Sequence, residues 1–595
     1  MSPPHAIPNR GRGAAIGLGL GAAFVAAVEM VLGVRLDLLL DHDPSWVPMR
    51  VLLVFAVVVA AAAAGIGVAR FTGRIASSPL GTSEPVALPF GARGLAVLAA
   101  AAILAGGWLR AAGARTPIPL WVDDVSEIAP ALALRTAATD VPPWSYPVPF
   151  VDGKWGGSVG TLYLEFFRTC LDAFGTTVRG VRAPSLLGGV LSLFTAWALG
   201  RAFLPRGGGA LTAVILAGLR WHLIVSQWGW VAVVLAPLMD VAALAMLAAR
   251  RRARPALAAI AGAAAGLGAH VYLSAWIGAA ALGLWAVWPS AQPEPMLRRP
   301  ARAVWFAAGL LLVASPLLLG DAAGRYFARV AAGAPSATMG AVPRYWQPVE
   351  TAAAALTGPW WTPDPFARHD LPGRSRLGWV VGVGLAAALL KAALSPREEL
   401  SGFLLCSAAA AFASTMVWGR AGTPNSYRYT YLVGPTAVAV AGGALWLLSA
   451  VPPRHRRVAA ILLVGAFTVA GARGATDALV VWPARPETFA AFEGQDTLVG
   501  RAAARWQRYG SVTVEGSLAR SPLVVEAIRR YGLVADSSRE SGELAGRGRR
   551  FRVVSPRAER TPSERVVERV RDGWGRERAV VLGSLPPRPG EAARS

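Results

Sequence analysis

The sequence has 595 residues, of which 54% are hydrophobic and 16% are charged, and its mean hydropathy is +0.44. This balance excludes an ordinary soluble domain and indicates a multi-pass membrane protein. The net charge of +24 does not indicate nucleic-acid binding, because many of the arginines lie in short stretches between apolar runs.

Apolar runs long enough to cross about 30 Å of hydrocarbon recur along most of the chain. The first two, 13–34 and 49–69, predict an N-terminal region over residues 1–91 with two extra spans. Residues 92–474 then form a predicted helical core. Its spans are predicted at 92–110, 183–203, 209–224, 229–249, 255–271, 273–288, 303–320, 378–395, 399–417, 429–449 and 457–474. The fold class predicted is therefore an α-helical polytopic membrane protein of about thirteen spans.

The chain changes character after residue 474. The stretches "SVTVEG" and "RFRVVSP" predict strands, whereas "TLVGRAAARWQRYG" and "SPLVVEAIRRYG" predict helices. Residues 475–595 are therefore expected to form a small α/β domain, and the final "PPRPGEAARS" is expected to be disordered.

The charges of the short loops predict the orientation. With the N-terminus in the cytoplasm, every short inner loop is rich in arginine, whereas the first outer loop carries Asp37, Asp41 and Asp43. Segments 111–182, 321–377 and the C-terminal tail then lie on the extracytoplasmic side of the membrane. We therefore expect a protein of the inner (plasma) membrane with a cytoplasmic N-terminus and an extracytoplasmic C-terminal domain.

An ordered set of motifs runs through the predicted core. It comprises "WVDDVSEIAPALAL", "VRGVRAPSLLGGVLSLFTAWALGRAF", "RWHLIVSQWGWVAVVLAPLMD", "GLGAHVYLSA", "RHDLPGR" and "SYRYTYLVGP". In this order the set resembles the GT-C superfamily of integral membrane glycosyltransferases, in particular the protein O-mannosyltransferases and the lipid A aminoarabinose transferase. The resemblance covers about residues 92–474. It implies a GT-C-like fold and transfer of a sugar from a polyprenyl-phosphate carrier.

Such a transfer needs a carboxylate and a cation. The acceptor hydroxyl must lose a proton as it attacks the sugar, and the departing phosphate gains negative charge. The resemblance implies that Asp123 is the general base and that Asp124 orients the acceptor or supports the base. The alternative is that both carboxylates belong to a solvated loop start or a helix N-cap, since aspartate favours both.

The resemblance also implies a binding site for the donor phosphate. Lys154 falls where related transferases place a lysine, although "DGKWGG" matches their motif only in part. Arg428 and Tyr429 match the "RY" element, where a guanidinium can hold a phosphate with two hydrogen bonds. The alternatives are an exposed loop lysine at Lys154 and an interfacial anchor at Arg428 and Tyr429.

Further side chains are candidates for substrate binding: Glu127, His222, His270, Trp360, Trp361 and His369. The two tryptophans would cover a sugar ring or a prenyl chain, or rest in the headgroup region. Both His222 and His270 are more often hydrogen-bonded interfacial side chains than ligands. A divalent metal at Glu127 and His369 stays open, but the spacing forms no metal signature.

The sequence therefore favours an inverting glycosyltransferase that moves a sugar to a hydroxyl of a protein, a glycolipid or an envelope glycan at the outer face of the membrane. Its expected partners are a polyprenyl-phosphate sugar donor, membrane lipids and that acceptor, with no nucleic acid. Two alternatives stay open: a transporter or flippase of a lipid-linked or anionic solute, and a noncatalytic membrane assembly subunit.

Overall fold

The structure is a computed structural model. It describes residues 86–114, 119–120, 125, 128–133, 161–229, 231–252, 254–291, 294–295, 297–318, 360, 364, 366–372, 374–418, 426–492, 494–518, 522–531, 533, 549–561 and 564–584. The two N-terminal spans predicted at 13–34 and 49–69 lie outside these residues.

The described part of the core is built almost entirely of helices. They are α1 (Ala92–Ala114), α2 (Ile128–Ala133), α3 (Thr161–Phe174), α4 (Val178–Phe203), α5 (Gly208–Ala217), α6 (Arg220–Val225), α7 (Leu235–Arg251), α8 (Leu257–Val271), α9 (Ala275–Val287), α10 (Arg298–Leu318), α11 (Gly378–Leu394), α12 (Glu399–Trp418), α13 (Val433–Ser449) and α14 (Arg456–Thr476). A 3₁₀ helix, Ser426–Leu432, leads into α13, and a π-helical turn, Asp477–Val481, ends α14. Leucine, valine and alanine dominate the buried surface between them.

Several of these helices are long and apolar enough to cross a membrane. Within the described residues these are Ala92–Ala114, Val178–Phe203, Val231–Arg251, Arg428–Ser449 and Pro453–Val481. The bent pair of α11 and α12, which meet at 110°, provides a sixth span if it is counted as one. The chain is thus a multi-pass membrane protein, but the predicted number of about thirteen spans is not confirmed.

The span predicted at 209–224 is interrupted. Helix α5 ends at Ala217, and α6 begins at Arg220 after two residues. Gly218 lies so close to Gly471 of α14 that a side chain at Gly218 would overlap the Gly471 backbone. The hydropathy of residues 209–224 therefore predicted one helix, whereas close packing at Gly218 and the buried Arg220 accompany two.

Helices α8 and α10 cross closely through two glycines. A Cβ atom at Gly262 would overlap the carbonyl oxygen of Phe306, and one at Gly309 would overlap that of Ala259. Both carbonyl oxygens belong to helix backbone. An added Cβ atom could therefore be accommodated only if the two helices moved apart.

Gly262→Ala is therefore expected to destabilise the protein by about 1–3 kcal/mol, the usual cost of overpacking. Thermal unfolding in detergent micelles measures the change. Gly465→Ala is the matched control, since nothing lies within 4 Å of a Cβ at that helical position. Equal melting temperatures for the two variants would show that the α8–α10 crossing tolerates an added methyl group.

A four-stranded sheet forms the centre of the C-terminal α/β unit, which we define as residues 486–584. Its helices are α15 (Pro486–Ala491), α16 (Gly494–Trp506) and α17 (Pro522–Tyr531), and its strands are β1 (Gly510–Val514), β2 (Arg549–Val554), β3 (Glu564–Arg571) and β4 (Glu577–Ser584). The strand order is β1-β2-β4-β3, with β1 parallel to β2 and the other pairs antiparallel. Val499 and Ala503 of α16 share a buried cluster with Val512, Phe551 and Val581 of the sheet.

Two strands and two helices of this unit match the stretches that the sequence analysis singled out. Strands β3 and β4 were not predicted. The sequence of β3, "ERVVERVR", is so rich in charge that its apolar residues give a weak strand signal. It is stabilised by pairing with β4, whose central residues are buried.

Candidate functional site

Five predicted site residues lie outside the described part of the chain: Asp123, Asp124, Glu127, Lys154 and Trp361. Their roles stay predictions. The described residues on either side of the acidic pair, Leu120 and Val125, are both buried. The other predicted residues, namely His222, His270, Trp360, His369, Arg428 and Tyr429, are described.

His222 is paired with an arginine near the end of α1. The Arg110 Nη2 atom lies 2.6 Å from His222 Nδ1, and the same guanidinium donates to the carbonyl oxygens of Gly106 and Leu216 at 2.8 and 3.1 Å. Since arginine can only donate, Nδ1 accepts and the ring proton is on Nε2. Both side chains are fully buried. Arg110 thereby binds a carbonyl near the C-terminal end of α5 and fixes the tautomer of His222.

A buried ion network joins α6 to the end of the second predicted outer loop. Arg220 donates from Nε to Asp370 Oδ1 at 2.9 Å, and its Nη1 atom lies 3.5 Å from Asp477 Oδ2. Arg374 also pairs with Asp477. The network therefore connects α6, the segment around Asp370 and the π-helical turn after α14.

His369 lies next to this network. Its ring stacks on Trp228 with centroids 6.0 Å apart, and its Nδ1 atom is 3.5 Å from Asp364 Oδ1. Arg376 lies between Asp364, at 3.9 Å, and the ring of Tyr429, at 5.4 Å. Asp364 and Arg376 thus connect the predicted residues His369 and Tyr429, although 60 positions separate them in the sequence.

Arg428 belongs to the same neighbourhood. Its charge acts on His369, and its side chain is partly exposed, whereas Tyr429 is buried. The indole of Trp360 donates to the Thr436 hydroxyl of α13 at 3.1 Å. The end of the second outer loop is therefore held against the start of α13.

His270 lies elsewhere in the bundle. Its Nε2 atom is 2.9 Å from the carbonyl oxygen of Val313, so that it connects α8 to α10. No described contact joins it to His369, Tyr429 or Arg110. The structure therefore does not bring this predicted residue to the others.

Burial lowers the pKa of His369, and the nearby guanidinium groups of Arg368 and Arg428 lower it further, while Asp364 opposes them. The folded protein consequently favours the neutral imidazole. In the unfolded chain the pKa is about 6.5, so protons bind there first as the pH falls. As the pH falls below about 6.5, the unfolded chain therefore gains a proton that the folded protein does not bind, and the folded protein loses stability.

Melting temperatures measured at pH 7.5 and pH 5.5 should therefore differ less in His369→Gln than in the wild type. His455→Gln serves as the control, because this histidine is exposed on the turn before α14. If His369→Gln and the wild type lose the same stability on acidification, His369 is not held neutral by the fold.

Positive charge prevails in this region. We define the outer arginine cluster as the buried side chains Arg110, Arg182, Arg220, Arg374 and Arg376 together with the partly exposed Arg428. The described carboxylates that pair with these arginines are Asp364, Asp370 and Asp477. Within this described set the arginines outnumber their acidic partners, and an excess of positive charge favours an anionic group.

Most members of this cluster were not predicted as site residues. The motif "RHDLPGR" predicts only His369 as a site residue, and the motif that contains Arg182 predicts no site residue. Arg182 donates to the carbonyl oxygen of Ala114 at the end of α1. Arginines and aspartates often occur side by side in exposed loops. Only their burial, which the sequence does not reveal, distinguishes the arginines of this cluster from exposed loop charges.

The described residues contain no group of three or more histidine, cysteine or acidic side chains able to hold a metal ion. Glu127, the other ligand that the sequence suggested, lies outside them. His369 contacts Asp364 and aromatic rings. The metal proposed at Glu127 and His369 therefore stays untested.

An apolar groove of about 390 Å³ lies between the first turns of α1 and α14. Its lining includes Phe90, Gly94, Leu98, Ile461 and one cation, Arg457. Arg110 lies at the other end of α1, so this groove is separate from the outer arginine cluster. It has little of the polar chemistry that a transfer reaction needs.

No protein-family model matches the sequence, and no curated protein matches it. Solved structures with a similar arrangement include apo ArnT from Cupriavidus metallidurans, at 13% identity and a TM-score of 0.47, over 83% of this chain and 98% of that one. They also include the oligosaccharyltransferase of Archaeoglobus fulgidus, at 16% identity and a TM-score of 0.44, over 74% of this chain and 64% of that one.

A third similar structure is the arabinofuranosyltransferase AftD from mycobacteria, at 16% identity and a TM-score of 0.35, over 73% of this chain and 30% of that one. All three belong to the GT-C superfamily of membrane glycosyltransferases, which is the superfamily that the sequence motifs resemble. At these scores the likeness assigns no activity to this chain.

Proposed function

We propose that this protein is an inverting glycosyltransferase of the inner (plasma) membrane. It would take a sugar from a polyprenyl-phosphate carrier and pass it to a hydroxyl group of a protein, a glycolipid or an envelope glycan at the outer face. The observation that carries this proposal is the outer arginine cluster. It is assembled from five separate parts of the chain next to His369 and Tyr429.

A prenyl phosphate matches this cluster in charge and in position. Its phosphate is an anion held at the level of the headgroups, where an arginine at the start of a span can reach it. Arg428 is the member best suited to contact it, because its side chain is partly exposed at the start of the span Arg428–Ser449. The buried arginines would add a fixed positive field that needs no reorganisation as the phosphate departs.

The chemical step would rest on the first outer loop. Asp123 would accept the proton of the acceptor hydroxyl as its oxygen attacks C1 of the sugar. The C1–O bond to the phosphate breaks at the same time, and the prenyl phosphate leaves with the electron pair. Asp124 would orient the acceptor or support the base, and Lys154 would add a compact charge beside the phosphate.

Aromatic side chains, one glutamate and three histidines are the remaining candidates for contact with the substrate. Trp360 and Trp361 would cover a sugar ring or a prenyl chain, and Glu127, His222, His270 and His369 were predicted to contact substrate. For His222 the contact with Arg110 indicates a supporting role, since that pair is fully buried. His270 is bonded to α10, so its role in substrate binding has the weakest structural support.

Mass spectrometry of envelope lipids and proteins tests this proposal. Cells with and without the gene are compared, and the proposal predicts a missing sugar on one class of envelope molecule. Restoration by the wild-type gene is the control. An unchanged sugar content would contradict the proposal. A missing sugar combined with accumulation of the lipid-linked donor on the inner leaflet would instead indicate a flippase.

A further inference from the structure

A threonine of the C-terminal α/β unit binds the backbone of the first outer loop. The amide nitrogen of Leu120 donates to the Thr497 hydroxyl at 3.0 Å, and that hydroxyl donates to the Leu120 carbonyl oxygen, also at 3.0 Å. Both residues are almost completely buried. One side chain therefore satisfies both polar backbone groups of a buried residue, as a neighbouring strand would.

The position of Leu120 gives this contact its importance. Leu120 precedes Asp123 by three residues, and three consecutive peptide units span only about 11 Å. Displacement of Leu120 would therefore be transmitted to the acidic pair. Val125, on the other side of the pair, is buried in the same hydrophobic cluster as Leu120.

The helix that carries Thr497 is itself firmly held. Val499, Ala502 and Ala503 of α16 are buried in the cluster that the helix shares with the sheet. A threonine on this helix consequently presents its hydroxyl from a rigid support, which is what positioning of a reactive group requires.

The same part of the chain also binds the second outer loop. Trp482 donates from its indole to the carbonyl oxygen of Ala367 at 2.5 Å, and Arg368 donates to the carbonyl oxygen of Ala491 at 3.2 Å. Phe492 packs edge-on against Trp228, the ring that stacks on His369. Residues 482–497 therefore contact both outer loops, one beside the acidic pair and one beside the outer arginine cluster.

We infer that the C-terminal α/β unit is a positioning element of the reaction, and that Thr497 is the positioning residue, because it fixes the Leu120 backbone three residues before the proposed base Asp123. This inference rests on the proposed function. Thr497 does not touch the reacting atoms, and it acts through the Leu120 backbone. Its loss should lower the rate of transfer while leaving the binding of the donor phosphate unchanged.

Thr497→Val and Thr497→Ser form the matched pair that tests the inference. Valine keeps nearly the volume of threonine but removes the hydroxyl, whereas serine keeps the hydroxyl. The rate at which each variant restores the missing envelope sugar in cells without the gene is measured at equal membrane levels. We expect about a 10- to 100-fold loss for valine, the scale of a misplaced reactive group, and near wild-type rates for serine.

Two further measurements separate positioning from a general structural role. Binding of undecaprenyl phosphate to the purified full-length protein in nanodiscs should be the same for both variants and the wild type. Hydrogen–deuterium exchange of the peptide that contains the Leu120 amide should be faster in Thr497→Val alone, because only this variant lacks the acceptor for that amide.

The outcomes that overturn the inference differ from those that overturn the proposed function. Wild-type rates for Thr497→Val, equal losses in both variants, or loss of undecaprenyl phosphate binding in Thr497→Val would each show that Thr497 does not position the acids. Faster exchange without a slower rate would show the same. Full activity of Asp123→Asn would instead overturn the proposed function, whatever the Thr497 variants do.

Discussion

Asp123→Asn is expected to lower the rate of sugar transfer by about 10²- to 10⁴-fold, the contribution of a positioned general base. Asparagine has almost the same size and retains hydrogen bonding, but it cannot take up the proton of the acceptor hydroxyl. Membrane insertion and melting temperature should stay near those of the wild type. Transfer is measured as the restoration of the missing envelope sugar in cells that lack the gene.

Asp172→Asn is the control for this variant. It makes the same change of charge within segment 111–182, on the exposed side of α3, and it should leave transfer unchanged. Asp124→Asn should show a smaller loss than Asp123→Asn, since orienting an acceptor contributes less than removing its proton. A wild-type rate for Asp123→Asn would remove this residue as the base and would favour a noncatalytic assembly subunit.

Arg428→Gln is expected to weaken binding of undecaprenyl phosphate by about 10- to 150-fold, which corresponds to the roughly 1.5–3 kcal/mol of a hydrogen bond to a charged group. We choose this probe because it is a polyprenyl phosphate, the class of carrier in the proposed function. Binding to the purified protein in nanodiscs measures the effect. Arg428→Lys should lose less, because it keeps the charge but not the two-point contact.

Arg457→Gln is the matched control for Arg428, since this cation lies beside the apolar groove at the other end of the bundle. Its affinity for the probe should equal that of the wild type. If Arg428 were only an interfacial anchor, Arg428→Gln would lower stability or insertion and leave the affinity unchanged. That result would remove the phosphate contact from the proposed mechanism.

The hydrophobic pattern predicted the positions of most helices well, because the length and polarity of each run are local properties. Helix α13, for example, ends at Ser449, the last residue of the predicted span 429–449. The break between α5 and α6 could not be predicted in this way. It depends on the approach of Gly218 to Gly471 and on the burial of Arg220, which are contacts between distant parts of the chain.

The candidate site was predicted less completely than the helices. His369, Arg428 and Tyr429 were chosen from motifs, and the structure places them in one neighbourhood. The ion network of Arg220, Asp370 and Asp477 was missed because no spacing in the sequence distinguishes a buried ion pair from exposed loop charges. The Thr497 contact was missed for a similar reason, since a threonine in an amphipathic helix carries no signal of its partner.

The burial of Asp240 follows from the energetic cost of placing a carboxylate in lipid. A carboxylate within a span is costly next to lipid, so a span that carries one is expected to turn it toward the helix bundle. The structure buries it completely, where it accepts a hydrogen bond from Thr195 at 2.7 Å and lies against Gly434. Asp240 of α7 therefore forms a packing contact with α4 and α13.

The most direct measurement is an experimental structure of the protein in nanodiscs with undecaprenyl phosphate. We expect the phosphate oxygens within about 3 Å of the Arg428 guanidinium. The Asp123 carboxylate should line the same cavity, close enough to reach an acceptor hydroxyl beside the phosphate. A phosphate bound elsewhere on the protein, or an Asp123 carboxylate that faces bulk solvent away from that cavity, would contradict the proposed transfer reaction.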